Sequence, residues 1–260
     1  MLPETMPVCP VRGSVIYPTM VMPIDAGRPI SIRAIDEALA RDRVLLIVSQ
    51  RDKEVETPRP SDLFEVGTAC NILKMRKNPD GSVQVLVQAF ARVRVREWLD
   101  LGDHLEARGE VLADEPGEPI LVKALVREVK DKFQALLKEG KYLAPEVAQF
   151  ILNLEDPSQL ADYVAFHMDF RLEDKQKVLE TANVAERLRA VLVLLEAELA
   201  LIETQRRIQQ QVKEEIDRNQ REYFLREQMK AIQRELHGEE GEQEVEEFRR
   251  KLEALDLPPV

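Results

Sequence analysis

A chain of 260 residues, 44% of them hydrophobic, is long enough to build about two domains. Its net charge of −11 disfavours nucleic acid or an anionic membrane as a partner, because phosphate binding needs a basic surface. Neither a signal peptide at Met1 nor an apolar run of about 18 residues occurs, so we expect a cytoplasmic protein without a membrane span. Cys9 and Cys70 lie in apolar segments without CxxC spacing, which indicates reduced thiols in a core.

Residues 1–115 are expected to form a β-rich domain. Alternating β-branched residues separated by turn residues predict strands at Thr5–Arg12, Met20–Asp25, Arg43–Ser49, Gly67–Arg76, Val83–Ala89, Arg92–Leu99 and Leu105–Leu112. A short helix is predicted at Ser31–Arg41, after Pro29. The turn Asn78-Pro79-Asp80-Gly81 predicts a hairpin between Leu73–Lys77 and Val83–Val87. We therefore expect a small mixed sheet or open barrel within an α+β fold.

Residues 116–182 follow a proline-rich and acidic joint at Pro116–Pro119 and change to a helical pattern. Apolar residues three and four apart predict helices at Leu121–Glu139, Pro145–Leu154, Ser158–Met168 and Glu173–Thr181. Short polar connections join these helices. The sequence predicts a compact bundle that is completed by the start of the next helix.

One very long helix is predicted at residues 183–237, a stretch without Pro or Gly. Asn183 followed by Glu186 is a variant of the capping box that satisfies the first amides of a helix. The early part has an apolar seam that predicts packing on a core, formed by Leu188, Leu192, Leu195, Leu199 and Ile202. From Glu203 to Glu222 the few apolar residues drift around the helix, so this part is expected to be a solvated spacer.

The far end of this helix regains an apolar stripe flanked by basic residues. The stripe predicts a surface for oligomerisation or for docking an ATPase, and its members are Tyr223, Phe224, Leu225, Met229, Ile232 and Leu236. An ordinary coiled-coil partner helix explains the pattern equally well. Residues 238–260 are expected to be an acidic hinge and linker, with a helix stop at Gly238 and one more short helix at Glu246–Leu255.

Several segments carry a family resemblance. Asn219–Leu236, with the sequence NQREYFLREQMKAIQREL, resembles the helix that precedes the ATPase module in the Lon protease family of ATP-dependent AAA+ proteases. Pro7–Arg12 and Val15–Ile24 resemble the opening strand pair of the Lon substrate-binding domain, followed by Gly27-Arg28-Pro29. Matches at Phe64–Thr68 and Leu172–Glu180 extend the resemblance over the whole chain. Cys9 departs from the pattern, since a leucine is more usual there.

The resemblance implies a PUA-like fold for the β-rich domain. It also implies a homo-oligomer, hexameric in the full enzyme, that acts on unfolded or damaged proteins. ATP and Mg²⁺ are expected in the parent protein only, and the Ser-Lys dyad of a Lon protease would lie in a C-terminal domain outside this sequence. No cofactor is expected in this chain.

Motifs for catalysis or metal binding are missing from the sequence. The only Gly-Lys pair, Gly140-Lys141, is followed by Tyr142 and has no upstream glycine that would cradle a phosphate. His104, His167 and His237 stand without the partners that zinc needs. We therefore expect no catalytic residue, no bound metal and no ATP hydrolysis.

A recognition surface is the remaining candidate site. Methionine and proline crowd the segment Ile16–Pro23, where proline interrupts the strand ladder and methionine suits a surface that accepts many sequences. The residues predicted to bind substrate are Tyr17, Pro18, Met20, Val21, Met22, Pro23 and Met75. In the opposing interpretation, Met20 and Met22 point into the core.

The sequence thus indicates a non-catalytic N-terminal region of a Lon-like protease. Such a region would capture exposed hydrophobic segments of substrates and deliver them to an ATPase ring. The alternative is a structural coiled-coil arm for oligomerisation that does not bind substrate. A stand-alone enzyme or RNA-binding protein is disfavoured by the acidic composition.

Overall fold

A computed structural model describes residues 2–139 and 143–253, and it describes no side chains for residues 236–244, 252 and 253. The elements, in chain order, are β1 (Met6–Val11), β2 (Val21–Ala26), α1 (Pro29–Ala40), β3 (Val44–Ser49), a 3₁₀ turn (Pro60–Asp62), β4 (Val66–Lys77), β5 (Val83–Asp100), β6 (Leu105–Val111), α2 (Pro119–Lys138), α3 (Pro145–Asn153), α4 (Pro157–His167), α5 (Leu172–Glu180) and α6 (Val184–Glu253). The chain divides into two units, Met1–Ala200 and Leu201–Val260.

The strands form a mixed sheet in the order β2-β5-β4-β3-β1-β6, with β1 parallel to β3. Because β5 also pairs with β6, the sheet closes into a barrel and leaves β2 outside the ring, paired with β5. Two strands predicted at Val83–Ala89 and Arg92–Leu99 are one continuous strand, which is long enough to pair with β2, β4 and β6. The resemblance implied that the first two strands form a pair. The structure shows that they are not hydrogen-bonded to each other, because β1 lies between β3 and β6.

The predicted β4–β5 hairpin is confirmed. Met75 lies opposite Val85 and Lys77 lies opposite Val83. Gly81 adopts a φ of 85° in the turn, a conformation that glycine reaches without steric cost. Two bulges interrupt this ladder and leave Leu73 and Phe90 without a directly opposite partner.

Strand β3 is buried along its whole length and separates two apolar cores. Successive side chains of a strand point to opposite faces. Leu45 and Ile47 accordingly pack with α1 and the β2–β5 ladder, whereas Leu46 and Val48 pack with residues of β1 and β6. This double burial explains why the segment reads as a continuous hydrophobic run rather than an alternating one.

The helical part of the first unit follows the prediction to within a few residues. Helix α4 contacts α2, α3 and α5, and α5 contacts β4. Asp156 caps α4 by accepting from the amides of Ser158 and Gln159. Gln176 on α5 donates to the carbonyl of Val66 at 2.8 Å, which joins the helices to the barrel.

A buried cluster of charges joins the same two parts. Arg92 on β5 forms two hydrogen bonds with the carboxylate of Asp162 on α4 and a third, at 3.2 Å, with Asp114 in the segment after β6. Arg187 on α6, fully buried, donates to Asp114 at 2.6 Å and to the hydroxyl of Ser158 at 2.7 Å. The cluster therefore fixes a strand, a connecting segment and two helices to one another.

Helix α6 begins as predicted. The side chain of Asn183 accepts from the amides of Ala185 and Glu186, both at 3.1 Å. Within the first unit, Leu188 and Leu195 are fully buried, in agreement with the predicted seam. In the second unit Ile208 is 52% exposed, as expected of a solvated segment.

The predicted end of this helix is wrong. The structure continues α6 past His237, Gly238 and Gly241 to Glu253 and forms neither a stop nor a separate short helix over residues 246–253. A glycine costs a helix only about 1 kcal/mol relative to alanine, and the surrounding Glu, Gln, Lys and Arg residues favour the helix. Two glycines in such a context are insufficient to end it. The last part of the predicted linker, residues 254–260, lies outside the described residues.

The buried charges give a first test. Replacing Asp162 by Asn should lower the free energy of unfolding by about 3 to 5 kcal/mol, because Arg92 and Arg187 would be left buried with reduced compensation. Urea unfolding followed by circular dichroism measures this loss. The matched control is Glu110→Gln, which removes a carboxylate from an exposed ion pair with Arg96 and should hardly change the unfolding midpoint. Equal effects would show that the buried cluster does not hold the fold together.

A second test concerns the two parts of α6. Leu195→Ala removes a fully buried side chain and should cost about 2 to 5 kcal/mol of unfolding free energy. Ile208→Gln, at a half-exposed position, exchanges residues of similar helix propensity and should leave the thermal midpoint nearly unchanged. Similar losses at both positions would mean that the helix is packed well beyond the first unit.

Candidate functional site

The structure buries two of the residues predicted to bind substrate. Tyr17 is fully buried, and its hydroxyl donates to the carbonyl oxygen of Lys175 on α5 at 2.8 Å. Burial raises the pKa of this phenol well above its ordinary value, so it remains a hydrogen-bond donor. Met20 is only 4% exposed. Neither side chain is presented to a peptide in this conformation, and we remove both from the candidate surface.

Strand β2 carries the accessible part of the predicted segment. Val21 is 54% exposed, Met22 is half-buried and Pro23 is exposed, while Pro18 is half-buried in the preceding loop. Val21 lies opposite Gln88 of β5, and Pro23 lies opposite Leu86. Among the residues that the structure describes, no strand pairs with the other side of β2. This edge can accept an added strand, except that Pro23 has no amide proton to donate.

A cleft of about 310 Å³ lies beside this edge, between β1, β2 and the start of α1. We call it the edge cleft. Met22 and Pro23 contribute to its wall, together with Arg12, Arg28 and Ser31. It combines apolar strand residues with two guanidinium groups and is thus both apolar and positively charged.

Arg28 is fixed in the wall of the edge cleft by its own hydrogen bonds. Its guanidinium donates to the carbonyl of Pro10 at 2.5 Å and to the side chain of Gln50, which is fully buried. Partial burial, and next the nearby charge of Arg12, lower the pKa of Arg28. Arg12 is more exposed and contacts Glu56 at 3.2 Å. Arg12 also donates to the carbonyl of Val55 at 3.1 Å, so the cleft wall has one half-buried and one more exposed cation.

Met75 does not line the edge cleft. It lies at a different groove, of about 480 Å³, together with Leu39 and Leu73. Leu73 and Phe90 are exposed apolar residues that were not predicted to bind substrate. The apolar runs Ile72-Leu73 and Ala89-Phe90-Ala91 break the strict alternation of a strand. This break is the sequence feature from which the bulges could have been predicted.

The apolar stripe of α6 lies in the second unit. Its residues Tyr223, Phe224, Leu225, Met229 and Ile232 are between 53% and 69% exposed. The side chain of Leu236 lies outside the described residues. A role of this stripe in docking or oligomerisation stays a prediction.

The described residues include one histidine between two carboxylates and no cluster suited to a metal ion. His104 contacts the carboxylates of Asp103 at 2.7 Å and Glu106 at 3.2 Å. Within residues 2–139 and 143–253, no group of three or more His, Cys, Asp or Glu side chains is arranged to hold a metal ion. Gly140, Lys141 and Tyr142 lie outside the described residues. No described helix is long and apolar enough to cross a membrane.

The chain is similar in sequence to proteins of one known family. Residues 5–197 match the model of the ATP-dependent protease La (LON) substrate-binding domain. The chain is 38% identical over 254 residues to a Lon protease of Brevibacillus choshinensis and 40% identical over 253 residues to that of Escherichia coli K12. It is covered to 97% in both alignments but spans only about a third of these relatives (33% and 32%).

A solved structure agrees with the sequence matches. The N-terminal domain of a Lon protease from the Mycobacterium avium complex superposes with a TM-score of 0.62 at 26% identity. The superposition covers 74% of this chain and 98% of that domain. The predicted fold class is confirmed: a β-rich PUA-like domain, then helices that include one very long helix.

Cysteine reactivity tests the burial of the cleft wall. Burial raises the pKa of Cys9 to about 11 and raises that of Cys70 further above its ordinary value. At pH 8 only about one thiol in a thousand at Cys9 would be a thiolate, the form that reacts. We expect both cysteines to remain unmodified by a thiol-specific disulfide reagent over an hour in the native protein and to react within minutes in urea. Rapid reaction of the native protein would contradict the described packing.

Proposed function

The chain belongs to the family of the ATP-dependent protease La (LON) substrate-binding domain, and on this premise we propose that it binds exposed hydrophobic segments of unfolded or damaged proteins. One observation carries the proposal: the unpaired edge of β2, with Val21 exposed, lies directly beside the edge cleft. An extended segment can add to a strand edge while its side chains enter neighbouring pockets. A folded protein offers no such segment, so the proposed site favours unfolded chains.

Binding at one such site should be weak. Burying apolar surface contributes about 25 cal/mol per Å², but ordering a flexible segment opposes this gain. We expect micromolar or poorer affinity for a single domain. Several linked copies would raise the overall affinity, because the second contact becomes intramolecular. A homo-oligomer, hexameric in the full enzyme, would therefore hold substrates that one domain releases.

The parent protein would supply the chemistry. We propose that this region delivers substrates to an ATPase and protease core outside the present sequence, where ATP, Mg²⁺ and a Ser-Lys dyad act. The cytoplasm is the proposed location. We propose neither nucleic acid nor a membrane surface as a partner.

A second candidate function is a structural arm for oligomerisation without substrate binding. The exposed apolar stripe Tyr223–Ile232 favours it, since a helix rarely leaves so many large apolar side chains in solvent unless another surface covers them. The two functions differ in what they predict for an unfolded protein, because a purely structural arm would not bind it.

Titration with one model protein in native and chemically unfolded form tests the first function. The 260-residue chain should bind the unfolded form and ignore the native form. Val21→Ser combined with Met22→Ser should weaken that binding at least about fivefold, because it removes apolar contact at the β2 edge. Fluorescence anisotropy measures the affinity, and circular dichroism verifies the fold.

The matched control changes two exposed apolar residues of the helical part, Ile120→Ser and Val193→Ser, and should leave the affinity unchanged. Equal affinity for native and unfolded protein would contradict the proposal. So would an unchanged affinity in the folded β2 variant. If the folded chain binds neither form, and Phe224→Ser with Ile232→Ser abolishes its self-association, the structural arm is the function that remains.

A further inference from the structure

The start of α1 leaves hydrogen-bond donors unsatisfied at the edge cleft. The first amides of a helix have no intrahelical acceptor. Pro29 opens α1 without an amide proton, so the donors are the amides of Ile30 and Ser31, of which Ser31 lines the cleft. Arg28 occupies the capping position, and its side chain makes no capping hydrogen bond. The positive end of the helix dipole thus lies at the cleft without a side-chain oxygen to satisfy it.

The side chain of Ser31 also contributes a buried hydroxyl group to the cleft wall. Ser31 is only 2% exposed, and its residue lines the cleft. Its Oγ interacts with the Cys9 thiol, and it has no other hydrogen-bond partner among the residues that the structure describes. A thiol is a weak hydrogen-bond partner. A buried hydroxyl without a proper partner is costly, and an acceptor in the cleft would remove that cost.

The charges around the cleft favour an anion. Arg12 and Arg28 line it, and Asp25, the only carboxylate among the described residues of its wall, already accepts a hydrogen bond from Gln84 at 2.8 Å. Glu56 contacts Arg12 from outside the wall, and its side chain is 80% exposed. An anion held by guanidinium groups and helix amides gains the strong, charge-assisted kind of hydrogen bond.

The other walls are apolar. Ile16, Met22 and Ile24 line the cleft on the strand side. Its volume of about 310 Å³ is at the lower limit of ligand pockets and suits one apolar side chain with a small charged group. Free phosphate would use the cations but not these apolar walls. A carboxylate attached to an apolar residue would use both.

The direction of β2 decides which end of a peptide reaches the cations. Strand β2 runs from Val21 to Ala26 and leads through Gly27 and Arg28 into α1. An extended peptide that adds parallel to β2 would arrive at α1 with its carboxyl end. A peptide added antiparallel would arrive with its ammonium group, which Arg12 and Arg28 repel.

We propose that the edge cleft binds the C-terminal carboxylate of an extended peptide with an apolar last residue. The carboxylate is held by the first amides of α1, the Ser31 hydroxyl, Arg12 and Arg28, and the last side chain packs against Met22. This inference rests on the proposed function and adds a preference for unfolded chains whose C-terminus is free and apolar.

A pair of fluorescent peptides tests the inference. Both have the same apolar ten-residue sequence, and one ends in a free carboxylate while the other ends in an amide. The 260-residue protein should bind the carboxylate peptide at least about fivefold more tightly, as expected for one lost charge-assisted contact. Arg12→Gln and Ser31→Ala should each reduce this preference, and neither should change the affinity for the amide peptide. Inorganic phosphate should compete with the carboxylate peptide more than with the amide peptide.

The matched control is Arg33→Gln, since Arg33 lies on the same helix but pairs with Glu37 and Asp103 outside the cleft. The Arg33→Gln protein should keep the full preference for the carboxylate peptide over the amide peptide. Equal binding of both peptides by the wild-type protein would overturn the inference and leave the proposed function intact. Binding of neither peptide would overturn both. Phosphate binding to the cleft without any preference between the peptides would show an anion site only and would also overturn the inference.

Discussion

Arg92 and Arg187 carry positive charge into the interior of the first unit, and the carboxylates of Asp162 and Asp114 make that burial tolerable. Buried ions lose their hydration, and only close partners with good geometry compensate for the loss. These partners come from β5, the segment after β6, α4 and α6. The pairing can form only when all of these elements are in place, so it couples the barrel to the helices.

The same junction explains the burial of Tyr17. The loop between β1 and β2 passes under α5, where the Tyr17 hydroxyl bonds to Lys175 and the Thr68 hydroxyl bonds to the carbonyl of Ile16. A tyrosine beside two prolines and two methionines has the composition of a recognition loop. Here its ring is a structural contact between barrel and helices. The accessible part of the segment begins only at Val21, where the chain joins β5.

Closure of the barrel determines where a partner can add. Among the strands that the structure describes, the ring β5-β4-β3-β1-β6 has no free edge, and β2 lies outside it with one unpaired side. Pro23 limits that side, because it removes a donor that an added strand would need. The edge is thus open to an added segment but does not favour extended aggregation. Its neighbour, the edge cleft, supplies the charge that an apolar edge lacks.

The sequence by itself determined the positions of nearly all strands and helices, because hydrophobic period and turn residues are local properties. The helix cap at Asn183, the Asn78–Gly81 turn and the strand at Arg43–Ser49 follow directly from their own residues. Its predictions were wrong where local signals conflict with their context, as at Gly238, where strong helix formers on both sides outweigh glycine. Only the tertiary structure decided that β5 closes a barrel, that Met20 is buried while Val21 is exposed, and that Arg12, Arg28 and Ser31 share one cleft. Strand partners and the faces of side chains depend on contacts between distant segments, and a single sequence does not encode those contacts in any local pattern.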